Sequence, residues 1–519
     1  MRKLVGRCIR SLVLVSLLGA CATNPVTGKK ELHLVSQSQE IALGEQNYAP
    51  ARQSQGGDYI LEPELTAYVR EVGNKLAAVS DRQLPYEFVV LNDSVPNAWA
   101  MPGGKIAFNR GLLYELSSEA ELAAVLGHEI VHAAARHGAK SMERNLLLQG
   151  AVAAVGISSA DSDYGKLLVG GAQIGAQLAS TRYGRDAELE SDLFGMRYMK
   201  RAGYDPRAAI ELQKTFVRLS QGQRTDWLQG LFASHPPSDS RVTANERTAA
   251  ELGEGGLWNR EIYLQKTARL RAARPAYQVY EEGKRALSTG DAVRAAALAQ
   301  QALVIEPREA RFHELLGDVA LTQKRPDAAL GHYDQAIRLQ PDYFKPHVQS
   351  GVALFNAGRK REAVPFLSRG NALLPTAPGH YFLGLIAEEQ GDWQSALQNF
   401  EVAAASESEI GKLAGERYLR LDLPRNPARY LQAGPQLGAD GVLYAVVRNP
   451  TPVIVQGVTV RVVKLDASGQ VVSRSNPVNF TQELAAGKSA TTAVGRVPMQ
   501  DASELRQFRV VVEGARAAP

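Results

Sequence analysis

The chain has 519 residues, of which 45% are hydrophobic and 22% charged. At roughly 150 residues per domain this is enough for about three cores, and the composition excludes a disordered chain, a collagen-like fibre and a disulfide-rich miniprotein. The formal charge of +5 arises near the start: removing Arg2, Lys3, Arg7 and Arg10 leaves 55 Lys and Arg against 54 Asp and Glu, a balance with no electrostatic footprint for nucleic acid.

Residues 1–20 read as a basic segment, an apolar stretch from Ser11 to Leu18, and Gly19-Ala20 before Cys21. The apolar run is too short to span a bilayer and has the length of a secretory signal peptide. No later apolar run approaches the ~20 residues of a membrane span. The small residues followed by Cys21 resemble a bacterial lipobox. That resemblance implies cleavage before Cys21, lipidation of that cysteine and, with Ala22 behind it, anchoring at the periplasmic face of the outer membrane. Cys8 is the only other cysteine, so the mature chain has no intramolecular disulfide, no Cys-rich zinc site and no cysteine nucleophile.

Residues 21–50 read as a polar, lipid-anchored tether running into a helix, and 51–255 hold the concentrated set of chemically competent groups. Within the latter, Ser118-x-x-Glu121 predicts a capping box and Gly138 the end of the helix that follows. On this helix His128 and His132, in Leu126-Gly-His-Glu-Ile-Val-His132, sit one turn apart on one face, able to share a zinc ion. Glu129, beside the first of them, is placed to take a proton from water at the metal. The flanking Leu122, Ala123, Val125, Leu126, Ile130, Val131 and Ala134 make the helix a buried one, where unsatisfied His and Glu are costly.

A catalytic zinc needs a third protein ligand. Glu188-Leu-Glu-Ser-Asp192 offers Glu188 and Asp192 on one helical face, Glu188 for the metal and Asp192 to hold the tautomer of a ligand His. Glu190 points the other way and is the weaker candidate ligand. Ser234-His235-Pro-Pro237 with Arg241 reads either as a loop entering the cleft or as a turn opening a helix with a surface arginine. Residues 146–180 are apolar runs broken by Asp161, Asp163 and Lys166, which predicts a short helical hairpin beside the cleft. Of the other histidines, His137 is expected to meet the C-terminal dipole of the catalytic helix, and none has a ligand-spaced partner.

Residues 276–425 repeat. Gly283, Gly317, Gly351 and Gly384, then Ala295, Ala329, Ala363 and Ala396, then Pro307, Pro341 and Pro375 recur at 33–34 residues. Small residues let paired helices approach, Pro ends the second helix, and Tyr333, Phe366 and Phe400 are assigned one equivalent packing position. The period resembles a tetratricopeptide array of about four units. Residues 433–515 alternate β-branched and polar residues over 441–448, 455–463, 471–472 and 508–512, with a hairpin turn at Asp466-Ala-Ser-Gly469, and predict a small β-sandwich.

Four blocks in order, Asn97-Ala-Trp-Ala-Met-Pro-Gly-Gly104, Leu126 to His132, Glu188 to Asp192, and His235-Pro to Arg241, resemble the BepA/HtpX/CAAX-prenyl-protease group of zinc metallopeptidases, peptidase family M48. The start of the mature chain, Cys21-Ala-Thr-Asn-Pro-Val-Thr-Gly28, also resembles its lipoprotein members. The resemblance implies a mainly α chain: a gluzincin-type domain with a small β element, an α-α tetratricopeptide solenoid and the small β-sandwich. It implies one zinc held by His128, His132 and Glu188, with Glu129 as general base. Asp192 becomes the partner of a ligand His, and His235 and Arg241 assist and stabilise an oxyanion. His235 either latches the open zinc position or takes part in turnover. The stretch 97–108 resembles the edge strand on which a substrate peptide lies. Ser191 stands where the family often has Ala, and the sandwich is outside the family plan. The expected function is an endopeptidase degrading misfolded or unassembled envelope proteins, with the repeats recruiting substrate or the outer-membrane assembly machinery. The alternative is an assembly scaffold with a gated peptidase.

Overall fold

A computed structural model describes residues 21–144, 183–222, 234–496 and 502–518. The expected signal peptide and the 146–180 hairpin lie outside the described residues. The chain divides into two compact units, residues 1–353 with 372–374, and residues 354–371 with 375–519.

The first unit opens with the antiparallel pair β1 (Cys21–Thr23) and β2 (Lys30–Leu32). The turn between them is built on Asn24, which is fully buried. Its Oδ1 accepts from the backbone N–H of Val26 (2.9 Å) and Thr27 (3.1 Å), and its Nδ2 donates to Glu31 (2.9 Å) and to the Ala135 carbonyl (3.0 Å). Val26 joins the main core. A buried amide that satisfies four partners thus holds residues 24–31 against the domain. Helices α1 (Gln37–Ser54) and α2 (Pro63–Ala77) follow, the first opened by a complete capping box at Ser36 and Gln39.

Strands β3 (Glu87–Leu91), β4 (Ala98–Met101) and β5 (Lys105–Asn109) form a sheet in the order β3-β5-β4, with β3 parallel and β4 antiparallel to β5. Beyond the short helix α3 (Arg110–Leu113) lies the central helix α4 (Glu119–Ala134), every residue of which is buried. A helix buried all round needs apolar residues all round, and its sequence supplies them between the functional groups. Ser118 caps it by accepting from the Glu121 N–H at 3.2 Å, but Glu121 turns to the backbone and hydroxyl of Ser117, so only half of the expected box forms. The helix ends at Ala134, ahead of Gly138, because Arg136 takes the left-handed conformation at φ 64°. Ion pairs from Arg136 to Glu40 and Glu143 hold it there. Residues 137–144 then resume a helical course.

Helices α5 (Arg185–Arg201) and α6 (Arg207–Gly222) pack on α4, and α7 (Asp239–Leu252) packs on α5 and α6. Helix α8 (Arg260–Lys266) leads to the repeats: α9 (Ala268–Ser288), α10 (Ala292–Ile305), α11 (Ala310–Thr322), α12 (Pro326–Leu339) and α13 (Phe344–Asn356). One buried cluster runs from Val69, Phe88 and Leu126 to Tyr277, Phe312 and Leu316. At this seam the buried Arg110 lies 3.3 Å from the centre of the Tyr277 ring and donates to Asn92 at 2.7 Å. The first repeats thus share the core of the preceding segment.

The second unit holds α14 (Lys360–Leu373), α15 (Ala377–Glu389), α16 (Trp393–Ala404) and α17 (Glu409–Asp422). The glycines are there for contact. A Cβ on Gly317 would stand 2.4 Å from the Tyr333 ring, and one on Gly384 2.6 Å from Phe400. Phe366 departs from the expected equivalence, being half-buried while Leu367 is fully buried. Counted from Tyr333 and Phe400 with the 34- and 33-residue steps of the glycines, the packing position falls on Leu367.

After the short α18 (Pro427–Tyr430), the chain forms β6 (Gln432–Leu437), β7 (Val442–Arg448), β8 (Val455–Leu465), β9 (Val471–Arg474), β10 (Val478–Asn479), β11 (Ser489–Arg496) and β12 (Phe508–Ala517). They make sheets β11-β7-β6 and β10-β8-β12, with β9 paired to β8. Val447, Val458, Val460, Phe480 and Phe508 share the core of this small β-sandwich. The whole is mainly α, as the sequence implies. Among the described residues no helix is long and apolar enough to cross a membrane.

Candidate active site

Two glycines fix the site. A methyl on Gly127 of α4 would lie 3.1 Å from the Gly195 carbonyl oxygen of α5, and one on Gly195 3.0 Å from the His128 backbone nitrogen. The two backbones touch, and this crossing brings Asp192, three residues before Gly195, to 2.9 Å from His128 Nδ1. One turn earlier, Glu188 reaches 3.5 Å from His128 Nε2 and 3.4 Å from His132 Nε2. The two Nε2 atoms face each other at 3.0 Å. From the loop before α7, His235 places Nδ1 3.1 Å from Glu188 and 3.3 Å from His128 Nε2.

His128, His132, Glu188 and His235 are all buried, and their donor atoms lie within 4.8 Å of one another; among the described residues no other group of His, Cys, Asp or Glu does this. Electron-rich atoms so crowded need a proton or a cation between them. Imidazole nitrogens with a carboxylate oxygen are the donor set of zinc, so the residues fit a metal. Glu129 stands beside them, 1% exposed, with Oε1 3.5 Å from His235 Nε2 and Oε2 without a hydrogen-bond partner. Apolar Ala124, Val125, Met196, Met199, Leu212 and Phe216 line the pocket that Glu129 and His128 face.

Charge balances within the cluster. Burial pushes the Glu129 carboxyl above its ordinary value, against the opposing pull of His235 and His128. Burial acts the same way on Asp192, but Arg241 beside it wins and holds Asp192 low. Arg241 Nε and Nη2 each donate to Asp192 at 2.7 Å, and Nη1 lies 3.0 Å from Glu188. Burial also opposes charge on His128, but hydrogen bonds to Asp192 and Glu188 outweigh it and lift the ring to about 9. A metal at Nε2 would displace that proton. Burial keeps His132 well below its ordinary value.

The structure thus brings together His128, Glu129, His132, Glu188, Asp192, His235 and Arg241. Arg241 is not a surface residue: it is 4% exposed and committed to two carboxylates. Two residues reach the cluster that the sequence did not place there. His137, expected at the C-terminal dipole of the catalytic helix, places Nδ1 2.8 Å from His132 Nδ1, and Tyr183 stacks on His132 with ring centres 4.0 Å apart. Glu190 stays out of the donor cluster and bonds His137 Nε2 at 3.1 Å. Cys21 begins β1 and is not among the clustered donors.

Residues 63–249 match the model of peptidase family M48, and residues 280–344 match a tetratricopeptide repeat model. The chain is 28% identical to the "Beta-barrel assembly-enhancing protease" of Yersinia pestis over 425 residues, covering 76% of this chain and 85% of that one. The protein of the same name from Escherichia coli (strain K12) is 24% identical over 408 residues, 71% of this chain and 82% of its own. The "Mitochondrial metalloendopeptidase OMA1" of Schizosaccharomyces pombe is 32% identical over 232 residues, 44% of this chain and 66% of its own.

Proposed function

Since this chain carries a peptidase family M48 domain followed by tetratricopeptide repeats and is a metalloendopeptidase, we propose that it is a zinc enzyme cutting misfolded or unassembled proteins of the bacterial envelope. The observation that carries the reading is the convergence of His128, His132 and Glu188 beside the unpaired, buried carboxylate oxygen of Glu129. These three residues would hold the zinc. When bound, zinc supplies a Lewis acid that polarises the scissile carbonyl and makes water a nucleophile at neutral pH.

The chain's own residues do the rest. Glu129 takes the proton of the attacking water and returns it to the leaving amine. Asp192 accepts from His128 Nδ1–H and so leaves the Nε2 lone pair pointing into the cluster. Arg241 holds Asp192 and Glu188 in register. The edge strand β4 offers a peptide backbone a partner for β-augmentation. The repeats would recruit extended client segments or the outer-membrane assembly machinery, in keeping with the name of the relatives. Lipidation at Cys21 would keep the enzyme at the outer membrane.

The purified mature protein is expected to bind one zinc per chain and to degrade an unfolded envelope protein. Glu188→Ala should lose most of the metal, because each removal from a three-ligand site breaks chelation. Metal analysis decides: full occupancy in Glu188→Ala takes Glu188 out of the metal site, and a metal-free, inactive wild type ends the reading in favour of a scaffold.

His235 sits as a fourth donor among the first three, with its other nitrogen toward Glu129. This position favours a latch that fills the open place when no substrate is bound. His235→Ala is then expected to raise basal proteolysis of unfolded substrate in a turnover assay; a loss of activity instead would make His235 a participant in the reaction.

A further inference from the structure

The helix α5 touches the cluster through three of its acidic side chains. Glu188 enters it and Asp192 holds His128. Glu190, two residues from each, faces another side of the helix, yet connects to the second histidine of α4 through an intermediate ring. His137 Nε2 lies 3.1 Å from Glu190 Oε1, and His137 Nδ1 lies 2.8 Å from His132 Nδ1. His137 is 5% exposed. Ser191 Oγ lies 3.5 Å from the same His137 Nδ1, and Lys29 Nζ is 3.8 Å from the other oxygen of Glu190.

Hydrogen-bond direction follows from the ends of this chain. A carboxylate only accepts, so the His137 proton belongs on Nε2, where Glu190 takes it. His137 Nδ1 is then an acceptor, and only a donor can approach it at 2.8 Å. His132 therefore carries its proton on Nδ1 and presents a bare Nε2 to Glu188 and His128. This is the tautomer a metal ligand must have. We propose that His137 and Glu190 form a relay that positions His132 as a zinc ligand, doing through a second imidazole what Asp192 does directly for His128. The proposal rests on the reading of His132 as a ligand. His137 is a positioning residue, since the ring of His132 stands between it and the cluster.

The relay explains local features left over by the site itself. The left-handed turn at Arg136 brings His137, five residues past His132, back over the His132 ring, a position that an uninterrupted helix would not give it. Tyr183 stacks on His132 with 22° between the planes and restricts the ring's tilt, while the relay sets which edge faces the cluster.

Zinc affinity tests this on the full mature protein, by competition with a chelator at fixed pH. His137→Ala is expected to weaken zinc binding about 10- to 100-fold, the usual effect of losing a partner behind a metal ligand. Glu190→Ala should weaken it in the same direction and by less. The double variant should be no weaker than His137→Ala, because the two act in series. His137→Asn should recover most of the loss, since its amide oxygen stands near the place of Nδ1 and can accept from His132. Unchanged affinity in both single variants overturns the proposal, and so does full additivity in the double variant. Melting of the chelator-treated proteins monitors the fold. If His137→Ala does not fold, the affinity of Glu190→Ala, whose side chain is 16% exposed, decides alone. A wild type without zinc affinity fails at the ligand reading itself, and the relay falls with it.

Discussion

Glu129→Gln is expected to cut turnover about 100- to 10,000-fold, the range for loss of a general base, while zinc content and fold stay as in the wild type. Gln matches Glu in shape and keeps an acceptor toward His235, which Oε1 approaches at 3.5 Å. What it lacks is the ability to take a proton at the second position, where Oε2 stands buried with no partner. Burial already disfavours the charged form of Glu129, so a neutral side chain there should leave stability equal or raise it. The measurements are metal analysis, thermal melting and single-turnover cleavage of an unfolded substrate, which separates chemistry from product release. Activity within about threefold of wild type, far short of the loss of a general base, would assign the proton transfer to another group.

The parts of this site that were legible in the sequence are those set by helical spacing. His128 with His132, and Glu188 with Asp192, each recur at four residues, so one face carries both members wherever the helix lies. The 34-residue period exposed the repeats for the same reason, since the glycines meet a ring on the partner helix at Gly317 and Gly384. His137 was not legible. It is five residues from His132, off any shared face, and reaches it only because Arg136, a non-glycine residue, adopts φ 64°. That conformation depends on Glu40, about a hundred residues earlier in the chain. The two-residue step from Glu188 turns Glu190 to another side of α5, but the sequence could not show that this side meets His137. The burial of Asn24 was not legible either, because its amide bonds the Ala135 carbonyl, a long-range partner with no local signature. In the sandwich, β6 (Gln-Ala-Gly-Pro-Gln-Leu) and the two-residue β10 lack the β-branched alternation that marks β7 and β8. They are strands because neighbours pair with them, not because their residues prefer it.

Arg241→Met is expected to cause the largest loss of stability of any single change at the site, about 3–5 kcal/mol in the metal-free protein. Met keeps the apolar stem and removes the charge. Arg241 is 4% exposed and gives two 2.7 Å hydrogen bonds to Asp192, a third contact of 3.0 Å to Glu188, and one of 3.3 Å to the Pro236 carbonyl. Without it two buried carboxylates face each other across the cluster with only histidines to balance them. Lys should not rescue the loss, because an ammonium is a point charge and cannot fork onto both Asp192 oxygens. Zinc should partly restore stability, both by binding only the folded state and by supplying the missing positive charge beside Glu188. The test is denaturant unfolding with chelator and with zinc, following the transition of the unit that contains the site. The result separates two roles for the guanidinium. An unchanged midpoint together with lost turnover would mean that Arg241 acts on the oxyanion of the reaction, as the family resemblance implies. A lowered midpoint that zinc partly repairs would mean that its first task is to hold Asp192 and Glu188, and through them the donor edges of His128 and His132.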